Sequence, residues 1–242
     1  MGKGDIMKEG RMDKSKIIRH AATVILMRDA QTNPQVLMGQ RGAKAAFMPN
    51  KFVFPGGAVD PTDGQVPLAQ GGAEPCLTRL AEDADPDLAQ ALLVAAIREL
   101  WEETGQILGE ATPWDGDIPE DWQSFADAGY VPSADGLAFA FRAITPKGRP
   151  RRFDARFFVA DAAKLKTDPD DFSRASDELS HLQWIPIDQV RRFDLPFITE
   201  VVLAEIVGNL PNLDAPASVP FFNNGEEESL FERLGGVGPL SS

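Results

Sequence analysis

The run Arg98-Glu99-Leu100-Trp101-Glu102-Glu103-Thr104-Gly105 places three carboxylates and one arginine in a single short stretch. On a helix, Glu99, Glu102 and Glu103 stand at i, i+3 and i+4 and project from one face. Like charges at those spacings repel by about 0.2–0.5 kcal/mol per pair. With Gly105 as the stop, they also occupy the last turn, where the macrodipole disfavours anions. A solvated face would interleave lysines, whereas here only Arg98 is present. A hard divalent cation resolves the conflict, because Mg²⁺ takes a few carboxylate oxygens and completes its shell with water and substrate phosphate. The pattern predicts a metal site, with a charged surface face as the plain alternative.

The elements that must position this triplet follow from the flanking sequence. Asp85-Pro86 makes a helix start, Asp85 as N-cap and Pro86 at the first helical position, and the helix runs to Thr104. Its Leu93, Ala96, Ile97, Leu100 stripe faces a core. Upstream, Ala21–Met27 reads as a buried strand, Asn33-Pro34 as a turn and Val36–Arg41 as its hairpin partner. Phe52-Val53-Phe54 is a short strand running into Pro55-Gly56-Gly57. Between it and the helix lies a polar excursion, 58–85, with one short helix at about Glu74 to Glu82. Downstream, Ile118–Ala128 reads as a helix. Leu137–Ile144 and Phe153–Ala160 read as strands joined by the basic turn Pro146–Pro150. Leu179–Ile185 reads as a further strand, and Ile187–Phe193 and Leu195–Val207 as two short helices. The expectation is one α+β domain over residues 17–210. Residues 1–16 would be a flexible polar arm, and 211–242 a tail forming a solvated loop with the acidic run Glu226-Glu227-Glu228.

Composition narrows the chemistry. The 242 residues carry a net charge of −13, which argues against nucleic acid or an anionic membrane as partner. The same charge would repel a phosphorylated substrate, so phosphate binding calls for metal and local arginines. Arg41, Arg142 and Arg156 are the candidates. Asp154 could instead pair with an arginine. His20 and His181 lack metal-ligand spacing, and Trp101 is expected to pack against the inserted segment. The single cysteine, Cys76, excludes an internal disulfide and fits a reducing compartment. The polar N-terminus lacks a signal peptide's apolar core, and no stretch reaches the ~20 apolar residues a span needs. A cytoplasmic location is expected.

Gly56-Gly57 taken with Arg98–Gly105 resembles the Nudix box, Gly-x5-Glu-x7-Arg-Glu-U-x-Glu-Glu-x-Gly-U, where U is apolar. Arg98, Glu99, Leu100, Glu102, Glu103 and Gly105 all match. The chain departs from the pattern in three ways. Six residues after Gly57 stands Asp63 in place of glutamate, and eight residues before Arg98 stands Gln90. The arginine expected at 71 stands at 98, an insertion of 27 residues placed at about 64–90. Gln106 occupies an apolar position. The interrupted box, with Phe47-Met48-Pro49 before it and Arg152-Phe153-Asp154-Ala155-Arg156-Phe157-Phe158 after it, is similar to one branch of the family. That branch includes a mammalian peroxisomal coenzyme A diphosphatase.

The resemblance implies a Nudix-type α/β/α sandwich, with a mixed central sheet and the box forming a loop–helix–loop. It implies Mg²⁺ or Mn²⁺ held by Glu102, Glu103 and the Gly56 carbonyl. Glu99 would bind a second metal or position the attacking water, and Arg98 would orient the carboxylates. Glu178, six residues before Trp184, occupies the place of a further carboxylate, as metal ligand or general base. The reaction implied is hydrolysis of a nucleoside diphosphate linked to another moiety, with coenzyme A or acyl-CoA leading and ADP-ribose or dinucleotides as alternatives. A non-hydrolytic nucleotide sensor is the rival from another class. The family also makes a homodimer plausible, and the insertion could serve as a lid, a dimer contact or an ornament.

Overall fold

Strand β1 (Ile18–Arg28) is the axis of the protein. Alternation sends Ala22, Val24 and Leu26 to one face and Ile25 and Met27 to the other. Along one edge, β8 (Arg152–Asp161) runs parallel to it, in register from Ile18↔Arg152 to Met27↔Asp161. Along the other edge, β4 (Gly56–Ala58) pairs antiparallel with its first half, and β2 (Gln35–Arg41) with its end. β2 also pairs with β3 (Phe52–Val53) and β9 (Leu179–Pro186). β7 (Ala138–Ile144) lies antiparallel beyond β8. The sheet is mixed and nine-stranded, and it continues through β10 (Val219–Asn223) and β11 (Leu230–Leu234). β5 (Gly109–Glu110) and β6 (Val131–Pro132) form a separate ribbon. This computed structural model describes residues 17–45, 47–82, 84–224 and 229–235, so the predicted arm and the acidic run lie outside the described residues.

Helices cover both faces, giving the α/β/α sandwich. On one face lie α1 (Glu74–Leu80), α2 (Leu88–Thr104) and α3 (Gln123–Asp127), on the other α4 (Phe197–Asn209). Residues Ala91 to Ile97 of α2 are all buried, well beyond the predicted stripe. The reason is the insertion, which brings Val66, Cys76 and Leu80 into the same core. Through these residues the insertion is part of a packed layer. Among the described residues no helix is long and apolar enough to cross a membrane.

Several boundaries differ from expectation. α2 starts at Leu88, because Asp85 accepts the Asp87 N–H (3.0 Å) on its side chain and the Leu88 N–H (3.0 Å) on its carbonyl. Asp85-Pro86 therefore forms a turn rather than the cap itself. Ile118–Ala128 resolves into a 3₁₀ turn at Glu120–Trp122 followed by α3, and Ile187–Arg192 is also 3₁₀. The larger correction concerns the tail. Beyond residue 210 the chain is not simply a solvated loop, since β10 pairs parallel with β7 and β11 closes over β10. Without them β7 would present an open edge of unpaired backbone groups. Val219 and Phe221 are buried, and the Arg142 guanidinium lies 4.2 Å above the Phe221 ring. The domain extends to at least Leu234.

Candidate active site

The site is assembled around Arg98, which is 5% exposed. Its Nε and Nη2 donate to the two carboxylate oxygens of Asp63 (3.0 and 3.1 Å), and Nη2 also donates to the Ala58 carbonyl (2.9 Å). Nη1 donates to Glu99 Oε1 (3.0 Å) and Glu102 Oε2 (3.2 Å). All five N–H donors of the guanidinium thus have acceptors. Burial alone would lower its pKa, but pairing with Asp63, then with Glu99 and Glu102, holds it above the ordinary arginine range.

This answers the question left by the interrupted box. Asp63, completely buried in the turn Asp63–Gln65, forms the bidentate pair with Arg98, and its Oδ2 also accepts the Asp60 N–H (2.8 Å). Gln90 plays a different part. Its Nε2 donates to the Val66 carbonyl (2.9 Å) and so ties the start of the insertion to α2.

The glycine pair sets the approach of loop to helix. A Cβ on Gly57 would lie 2.3 Å from Glu99 Oε1, and one on Gly56 would lie 2.6 Å from the Ala22 carbonyl. Only glycine lets β4 sit both on β1 and under the acidic face of α2. The three carboxylates then diverge in environment. Glu103 is 2% exposed; its Oε2 accepts the Gly56 N–H (2.8 Å), while Oε1 is buried with no partner. Burial, then the neighbouring Glu99 charge, pushes the Glu103 pKa up to about 8 against the Gly56 N–H and Arg41. Burial likewise pushes Glu99 up to about 7, Arg98 opposing and Glu102 and Glu178 adding to it. Glu102, more open to solvent, is raised in the same sense.

An orphaned buried carboxylate oxygen beside two carboxyl groups that resist ionisation fits a divalent cation, which would satisfy the oxygen and favour the charged forms. Among the described residues no group of three or more His, Cys, Asp or Glu side chains is arranged as it stands to hold a metal ion. Arg98 Nη1 holds one oxygen each of Glu99 and Glu102 and leaves their second oxygens outside that pairing.

The remaining predicted residues divide. Glu178 lies at the start of β9, exposed, and its negative charge acts on Glu99, Glu102 and Glu103 alike. Arg41 stands close enough to Glu103 to oppose its shift, and its Nε is buried with no partner. Arg142 and Arg156 do not join the site. Both pair with the buried Asp154 at 2.9 Å, and His20 Nδ1 lies 3.1 Å from Arg156. Trp101 packs edge-on against Phe125 of α3, with Nε1 donating to Ser124 Oγ (3.0 Å), in the core cluster that also holds Val66, Cys76 and Leu80 of the insertion. Sequence reasoning missed one contributor, Asp60, whose carboxylate lies 3.7 Å from Arg98; nothing in its spacing marks it.

The loop–helix–loop that carries these carboxylates under a glycine pair is the arrangement the sequence pattern leads one to expect, and comparison with known proteins makes the family specific. The NUDIX domain sequence profile matches residues 18–206, so the chain belongs to the NUDIX family. It is 32% identical over 179 residues to "Putative nudix hydrolase 7" of Caenorhabditis elegans, covering 69% of this chain and 51% of that protein. The chain thus spans about half the length of that curated relative. The crystal structure of a NUDIX hydrolase from Alicyclobacillus acidocaldarius is similar with a TM-score of 0.59 at 25% identity, over 83% of this chain and 98% of that one. That likeness bears out the α+β sandwich.

Proposed function

We propose that the protein is a Mg²⁺- or Mn²⁺-dependent pyrophosphohydrolase cleaving a nucleoside diphosphate linked to another moiety, with coenzyme A or acyl-CoA as leading substrate. The observation that carries this is Glu103, a buried carboxylate with one oxygen fixed by the Gly56 N–H and the other unpartnered. Glu99, Glu102, Glu103 and the Gly56 carbonyl would hold the cation. When bound, the ion supplies charge neutralisation of the pyrophosphate and acidification of a water molecule. Arg98 fixes the carboxylates from behind, pre-oriented by Asp63, so they need no rearrangement during the reaction. Glu99 orients the attacking water, and Glu178 adds its charge to the cation site and accepts the water's proton. Arg41, whose charge acts on Glu103, is the candidate for a contact with a phosphate oxygen. No covalent enzyme intermediate is needed.

The preference for coenzyme A rests on the two marker segments. Phe47 and Phe153, one from each, meet with ring centroids 5.2 Å apart. ADP-ribose and dinucleotides share the pyrophosphate and are the next substrates to test. The retained Asp63–Arg98 pair and all three box carboxylates favour hydrolysis over a sensor. A panel of coenzyme A esters, ADP-ribose, NADH and diadenosine polyphosphates with Mg²⁺ and Mn²⁺ should show release of 3′,5′-ADP from coenzyme A, and Glu102→Gln should abolish it. Unchanged turnover in Glu102→Gln would refute the mechanism. Tight nucleotide binding without turnover would favour the sensor.

A further inference from the structure

Gln106 is where the chain departs from the apolar pattern of the box, and the structure gives that departure a purpose. The side chain is completely buried. Leaving such an amide unpaired would cost about 1–3 kcal/mol, yet three of its hydrogen-bonding positions are used, all on one distant segment. Oε1 accepts from Thr167 Oγ1 (2.6 Å), and Nε2 donates to the carbonyls of Asp168 (3.1 Å) and Asp171 (2.9 Å). The adjoining backbone strengthens the seam. Ile107 N–H donates to Thr167 Oγ1 (3.2 Å), and Lys166 N–H to the Ile107 carbonyl (3.0 Å).

From this anchor the segment runs back along the end of α2. Trp184 Nε1 donates to the Pro169 carbonyl (3.0 Å), and Arg28 pairs with Asp170 (2.8 Å). Ser176 N–H then caps the Glu102 carbonyl (2.9 Å), one of the carbonyls a helix end leaves open. Arg174 packs so closely on Gly105 that a Cβ there would lie 2.9 Å from it. Glu178 follows Ser176 by two residues, so the backbone fixed on the helix end holds its charge within electrostatic range of the triplet.

We propose that Gln106 is a positioning residue: it fastens segment 166–178 to the end of α2 so that Glu178 faces Glu99, Glu102 and Glu103. The inference rests on the reading of Glu178 as part of the metal-dependent site. It extends the box beyond its apolar final position to a second, sequence-remote loop.

The test is a double-mutant cycle read by Mn²⁺ binding, followed by electron paramagnetic resonance on the full chain without substrate, with kcat and KM measured in parallel. Gln106→Met keeps the volume and removes the amide bonds. We expect about tenfold weaker Mn²⁺ binding and a comparable fall in kcat with KM unchanged. Glu178→Gln should give a similar loss, and the double variant no more than Glu178→Gln alone. Thr167→Val, which cuts only the hydroxyl link, should show a smaller loss of the same kind and serves if Gln106→Met does not fold. Independent, additive losses would overturn the proposal, as would unchanged Mn²⁺ binding in Gln106→Met or Glu178→Gln. If the wild type binds Mn²⁺ but hydrolyses no substrate of the panel, the proposed function fails, while the coupling of Gln106 to Glu178 is still read from Mn²⁺ affinity.

Discussion

Replacing Glu103 by glutamine should stabilise the metal-free protein, and increasingly so as the pH rises above about 5. Glu103 keeps one oxygen on the Gly56 N–H and has the other buried without a partner, and its pKa rises from 4.5 to about 8. A carboxyl whose pKa is raised on folding binds more protons in the native state, so its contribution to stability falls as pH climbs from about 4.5 to about 8. At about 1.4 kcal/mol per pH unit, the difference between those values sets a ceiling near 5 kcal/mol. Relaxation and water penetration around a real buried carboxylate bring this to about 1–3 kcal/mol. For a domain of this size that is a rise in Tm of about 3–10 °C. Thermal unfolding in EDTA at pH 8 should therefore place Glu103→Gln above the wild type, with the two coinciding near pH 5. Added Mg²⁺ should reverse the order: at a hundred times its Kd it stabilises the wild type by about 2.7 kcal/mol and the variant far less. An equal or lower Tm for Glu103→Gln at pH 8 in EDTA, or equal stabilisation of both by Mg²⁺, would refute the account.

Four further outcomes follow from the structure. Gly57→Ala pushes a methyl into the Glu99 carboxylate, so kcat should fall by about 100-fold with a nearly unchanged Tm, the expected effect of a misplaced reactive group. Asp63→Asn removes the bidentate charged partner of the buried Arg98, leaving it Glu99 and Glu102, and should cost about 1–3 kcal/mol in urea unfolding. Asp63→Glu, which restores the usual box residue, overfills a fully buried position and should cost about 1–3 kcal/mol. Phe221→Ala removes a buried ring from under Arg142 and should cost about 3–5 kcal/mol, where a loose tail would tolerate it.

The sequence was most informative where the physics is local. The helix stop at Gly105, in the left-handed region at φ 73°, and the alternation of β1 both depend on near neighbours and were readable. So was the acidic triplet, whose repulsion is a property of a single helix. Legibility ended where partners are distant. The choice between Asp63 and Gln90 needed the path of the inserted residues, which no spacing rule supplies. Arg142 and Arg156 read as phosphate ligands because nothing local reveals that β7 and β8 align them with Asp154 on one face. Val219–Asn223, with a proline inside it, reads as loop until β7 offers a free edge. Gln106 looked like a blemish in the motif, and its partners begin 61 residues further on.

The parallel pairing of β1 with β8 joins residues more than 130 positions apart in the chain, from Ile18↔Arg152 onward. β4, on which the glycine pair rides, is laid on β1, so the box loop rests on a strand whose opposite edge is open until β8 has been made. Closing so large a loop before any contact rewards it makes for slow folding. The nascent chain can form the box helix early, but it holds that helix's apolar side open until the far half arrives. Chaperone dependence during synthesis should therefore track the exposure of Ala91–Ile97 rather than any weakness of the finished site.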